Sequence, residues 1–88
     1  MVEVKVKQLI WDDWNVNHIK KHKVRLEEVE KAVSSKNKTL KSYKNRLLVL
    51  GRAGKRLLTV VLAPEKGKKH YVITARDMSK KERRYYRE

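Results

Sequence analysis

The sequence predicts an α+β domain, an antiparallel meander sheet with two N-terminal helices packed on one face and a short C-terminal helix. Three observations carry this. Two early segments have the caps and apolar spacing of short helices. Later, NRLLVLGR, KRLLTVVLA and HYVITAR are apolar, strand-sized runs separated only by the turn-like RAGK and PEKGKK. Connections that short join antiparallel neighbours. Last, Ser79 and Glu82 have the spacing of a capping box, in which each side chain satisfies the other's free backbone N–H. Eighty-eight residues with 40% hydrophobic content close one core, so residues 1–88 form a single domain.

In chain order, Val2, Val4 and Val6 alternate with Glu3, Lys5 and Lys7, the period of a half-buried strand, short and at a sheet edge. In WDDWNVNHIKKH, Asp12 or Asp13 caps a helix from about Asp13 to His22, with Lys20, Lys21 and His22 in its last turn. VRLEEVEKAVSS places Leu26, Val29 and Val33 on one face of a second helix. SSKNK is a loop, TLKSYK a candidate further strand before the three strands already named, and a last helix starts near Lys80.

The formal net charge is +14, and self-repulsion on that scale points to a polyanionic or acidic partner, nucleic acid first. The absence of cysteine excludes disulfides and thiolate metal sites and suits a reducing compartment. Charges interrupt the N-terminal segment where a secretory signal needs an apolar run, and no run is long enough to span a bilayer, so a cytoplasmic protein without a membrane partner is expected.

Strict alternation places His70, Val72, Thr74 and Arg76 on one face of the last strand and Tyr71, Ile73 and Ala75 on the other. The same parity groups Arg46, Leu48, Leu50 and Arg52, and then Arg56, Leu58, Val60 and Leu62. Arginines thus end the strands, and a rim of Arg52, Arg56 and Arg76 suits a phosphate, which guanidinium grips with paired N–H donors. The competing expectation is that these arginines pair with Asp77, Glu82 or Glu65. On the last helix, Glu82, Tyr85 and Tyr86 form a stripe among Lys80, Lys81, Arg83, Arg84 and Arg87; core packing of both tyrosines is the favoured expectation, the alternative being one in the core and one that stacks on a base or aims its hydroxyl at a phosphate. His18 and His22 have the spacing of two zinc ligands, but no glutamate follows His18 and no third ligand is apparent, so no metal is expected. Trp11 and Trp14 are read as core anchors. No nucleophile elbow, phosphate loop or dinucleotide fingerprint occurs, so no cofactor is expected.

Taken together, WDDWNVNHIKKHKV, EEVEKA, LGRAGKRLLTVVLAP and YVITARDMSKKERRYY resemble the BrnT family of bacterial and archaeal toxins over nearly the whole chain. The resemblance implies a RelE-like α+β fold and a metal-independent endoribonuclease that cuts RNA to inhibit translation. It also implies a cognate acidic or ribbon-helix-helix antitoxin, the two together forming a heteromeric complex that binds promoter DNA. Carried onto this sequence, the family's basic groups fall on Lys21 and His22, Arg52 and Arg56, and Arg76 with Arg83; joined to the reading of the residues themselves, this gives Arg52, Arg76, His22 and Tyr71 as catalytic candidates and Lys21, Arg56, Arg83, Arg84 and Tyr85 as RNA-binding candidates. The chain departs from the family pattern at Lys23, where relatives have the glycine that ends the first helix, and at Tyr71, where several have an arginine. The rival reading is a non-catalytic basic module that binds RNA or protein with the same fold.

Overall fold

The computed structural model describes residues 4–88. Its elements run β1 (Leu9–Ile10), α1 (Asp13–Lys21), α2 (Leu26–Ser34), β2 (Lys38–Lys41), β3 (Leu47–Ala53), β4 (Arg56–Pro64), β5 (His70–Asp77) and α3 (Lys80–Arg87), with short 3-10 turns at Val6–Gln8, Tyr43–Asn45 and Lys66–Lys68. The class is α+β, as expected, and β2 to β5 form the antiparallel meander. The sheet as a whole is mixed, in the order β1-β5-β4-β3-β2, because β1 pairs with β5 in parallel.

The edge strand expected over residues 2–6 is displaced. Residues 1–3 lie outside the described part of the chain, and Val6 falls in a turn that the Gln8 side chain closes by accepting the Lys5 N–H at 3.1 Å. Among the described residues, pairing begins at Leu9 instead. A strand can lie parallel to β5 at that edge because α1, α2 and the meander provide the long crossover that parallel pairing requires.

Helix α1 starts where the sequence indicates. Asp12 accepts the Asn15 N–H at 3.0 Å, and the Asn15 side chain accepts the Asp12 N–H at 2.9 Å. The Asn15 amide also donates to the Ile10 carbonyl, so this fully buried polar residue ties the helix start to β1. At the other end Lys23 sits at φ 59°, and Val24 N–H reaches back to the Ile19 carbonyl, a Schellman closure. A lysine in this left-handed position costs about 1 kcal/mol relative to glycine.

Both N-terminal helices pack on one face of the sheet. Ile19, Val24, Val29, Ala32 and Val33 meet Val49, Leu58, Val60, Leu62, Val72 and Ala75, and all are buried. Alternation along β5 is broken on the way: Val61 pairs with Thr74 but Leu62 pairs with Val72, leaving Ile73 as an extra residue. This bulge corrects the strict alternation expected for β5. Val72 and Ala75 both face the core, while Thr74 and Arg76 turn to the opposite face. There α3 covers the sheet, its Glu82 accepting a hydrogen bond from Thr59, which is buried with its cross-strand neighbour Leu50.

Helix α2 lies so close to β3 that Gly51 has no room for a side chain, because a Cβ would overlap the Ala32 carbonyl oxygen. Gly51→Ala should therefore lower unfolding free energy by about 1–3 kcal/mol, the range for an overfilled core, as measured by urea denaturation. An unchanged midpoint would mean that α2 is free to move away from the sheet.

Candidate nucleic-acid interface

The register separates the arginines that the sequence groups as one rim. Arg56 lies on the side of α1 and α2, whereas Arg52 and Arg76 lie on the side of α3. The bulge at Ile73 makes this division, since it decides which way Arg76 points.

Arg56 is spent on structure. Its Nε donates to Asp77 at 2.8 Å, one terminal nitrogen donates to the Lys23 carbonyl at 2.6 Å and to both Glu28 oxygens at 3.2 Å, and the other reaches the His22 carbonyl at 3.4 Å. A cation facing the last carbonyls of α1 also complements the negative end of that helix. Asp77 raises the Arg56 pKa most, opposed by burial and aided by Glu28. In return the guanidinium holds Asp77 below the usual carboxylate range, with Arg83 adding its field. Burial pushes Glu28 up, but the Arg25 N–H and then Arg56 outweigh it and leave it lowered. Little of this guanidinium remains open to a phosphate.

Arg76 is held differently. Its two terminal nitrogens donate to the two oxygens of Glu82 at 2.7 and 2.9 Å, a bidentate pair, and Thr59 and the Ser79 N–H donate to the same carboxylate. The Glu82 side chain is 13% exposed and Arg76 40% exposed, so the carboxylate is enclosed while the cation keeps an open side. Arg76 draws the Glu82 pKa down to about 2 against the opposing effect of burial. The capping box expected from Ser79 and Glu82 is present and also serves as the clamp that orients Arg76. Arg52 is exposed, with its backbone N–H fixed by Ser35 Oγ at 3.1 Å.

The remaining candidates are dispersed. Lys21 and His22 are exposed at the end of α1. Tyr71 donates its hydroxyl to Asp12, 2.9 and 3.0 Å from the two oxygens, and burial followed by that carboxylate raises its pKa. Arg83 and Arg84 line a surface depression with Lys80 and Arg87. Neither tyrosine of α3 enters the core: Tyr85 is 40% exposed beneath the Lys38 ammonium, 4.9 Å from its ring centre, and Tyr86 donates to the Lys36 carbonyl. Trp11 packs against the core, but Trp14 is 58% exposed, contrary to its reading as an anchor. Sequence reasoning did not find the partners Glu28 and Asp12. Thr59, a lone hydroxyl inside the apolar run LLTVVL, was the available signal for the clamp on Arg76.

The family described as the ribonuclease toxin BrnT of type II toxin-antitoxin systems matches residues 11–82. No curated protein and no solved structure matches the chain.

Two outcomes follow from the paired arginines. Arg56→Ala strands Glu28 and the end of α1, and should cost about 2–3 kcal/mol of stability that Arg56→Lys does not restore, because a lysine cannot span all these acceptors; equal urea midpoints for the lysine variant and wild type would refute this. The Glu82 pKa is depressed from 4.5 to about 2, so its contribution is complete above about pH 4.5 and disappears as the pH falls toward 2. By linkage this is on the order of 3 kcal/mol, and Glu82→Gln should flatten that part of the stability profile.

Proposed function

Because the chain belongs to the BrnT ribonuclease toxins of type II toxin-antitoxin systems, we propose that it cleaves RNA without a metal, using the open side of Arg76 together with Arg52 to hold the scissile phosphate. The family brings with it an RNA substrate and an antitoxin partner. The observation that carries the site is the Glu82 clamp, which aims a bidentate-held guanidinium toward solvent on the same face as Arg52.

The chemistry is attack of the RNA 2′-hydroxyl on the adjacent phosphorus. The P–O5′ bond breaks, leaving a 2′,3′-cyclic phosphate and a 5′-hydroxyl. Negative charge grows on the phosphoryl oxygens in the transition state, and each arginine donor aimed there is worth about 3–4 kcal/mol by analogy with oxyanion-hole donors. An imidazole suits the proton transfers, but His22 ends α1 on the face opposite Arg52 and Arg76 and the Tyr71 phenol is held by Asp12, so the two arginines carry the step through charge stabilisation. Lys21, Arg83, Arg84 and Tyr85 supply binding along the chain of phosphates, and Arg56 supports them by fixing the helices. In the cell, such cleavage inhibits translation in the cytoplasm until an acidic or ribbon-helix-helix antitoxin covers the basic surface, and the resulting complex binds promoter DNA. No helix among the described residues is long and apolar enough to cross a membrane.

A binding-only module is favoured by one observation, the engagement of Arg56 and Arg76 by carboxylates. The two readings separate in one experiment. Arg76→Ala, and Arg76→Lys as a variant that keeps charge against Glu82, should each reduce the appearance of new 5′-hydroxyl ends by about 10²-fold or more. Wild-type cleavage by folded Arg76→Ala would remove Arg76 from the site, and salt-sensitive RNA binding without new ends in the wild type would establish the binding module.

A further inference from the structure

Trp14, His18 and His22 recur every fourth residue and therefore share one face of α1. The indole and the His18 imidazole are stacked, with centres 4.8 Å apart and planes 7° from parallel, and His22 meets His18 edge-on at 5.4 Å. The sheet does not use this stripe, since Ile19 and Asn15 are the buried residues of α1. A 58% exposed indole stacked on an imidazole presents flat aromatic surface to solvent without contributing to the core.

The charges around the stripe are graded. Near Trp14 both Asp12 and Asp13 are exposed, and Asp12 is engaged by the Asn15 N–H and by Tyr71. At the other end Lys21 and Lys23 are exposed. A ligand with a planar neutral part and a regularly spaced anionic part fits that gradient. In a chain of net charge +14, a polyanion fits better than an apolar peptide.

We propose that the Trp14–His18–His22 stripe is a stacking platform for the unpaired bases of single-stranded RNA, one base resting on the Trp14 indole while the neighbouring phosphates lie toward Lys21 and Lys23. This rests on RNA being the substrate, and it adds a selection for unpaired strands. Base–aromatic stacking tolerates any sequence, whereas a duplex keeps its bases in the helix.

The test uses the full chain with a 2′-O-methylated oligonucleotide, which lacks the attacking hydroxyl, as a single strand and as a duplex of the same sequence. The single strand should quench Trp14 emission and the duplex should not, and Trp14→Phe should abolish the quench because Trp11 remains packed. Trp14→Ala should weaken single-strand affinity about 10-fold, and Trp14→Phe less, because a phenyl ring still stacks. Unchanged affinity in folded Trp14→Ala would overturn the inference. So would equal quenching by the duplex, or a loss confined to binding of the antitoxin, which would make the stripe a protein contact. Quenching without cleavage of unmodified RNA would support the platform while refuting the ribonuclease reading, and cleavage without quenching would do the reverse.

Discussion

One guanidinium holds the helical layer to the sheet. Arg56, the first residue of β4, bonds to the end of β5 through Asp77, to the first turn of α2 through Glu28, and to the carbonyls that close α1 at His22 and Lys23. Apolar packing is not directional and would tolerate several placements of two short helices on a flat sheet face. Five planar donors in fixed directions select one. The left-handed turn at Lys23 belongs to the same arrangement, since it brings the last carbonyls of α1 to Arg56. Strain at that residue is thus set against hydrogen bonds to a charged group, which are among the stronger ones.

The opposite face depends on a single added residue. Without the bulge at Ile73, Arg76 would turn to the face of α1 and α2 and Asp77 to the face of α3, which would take the carboxylate from Arg56 and the cation from Glu82. With it, each carboxylate cluster has its own arginine on its own face. The Glu82 carboxylate then serves three groups together, as the cap of α3, the acceptor for buried Thr59 and the clamp on Arg76. Such sharing makes the last helix and the last strand one unit. It also explains why an arginine sits at that strand end followed directly by a capped helix.

The excess of positive charge is therefore divided in two. A minority of arginines is consumed in fixing helices to the sheet, and these are the partly buried ones. Apart from half-buried Arg46 the rest, with the lysines of α1 and α3, are exposed and give the protein a basic surface suited to an RNA or an antitoxin. Repulsion among those exposed charges is screened by salt and relieved by either partner, which links the stability of the protein to its occupancy.

What the sequence by itself determined is local. The caps at Asp12 and Ser79, the amphipathic stripe of α2, the meander of β2 to β5 and the family of the chain are all legible, because each depends on residues within a few positions of one another or on short turns. The tertiary structure decided which arginines are free. The bulge at Ile73 has no signature in an apolar run, so alternation alone assigned Arg76 to the wrong face. The same limit hid the parallel pairing of β1 and the partnership of Arg56 with Glu28, 28 residues away. Trp14 illustrates it from the other side, since size suggested the core but the turn of α1 fixed by Asn15 and Ile19 left it in solvent. Periodicity reports the face a side chain takes relative to its neighbours in sequence. Whether that face meets a carboxylate, a helix or water is set by strand register and helix placement, which arise from contacts distant in sequence.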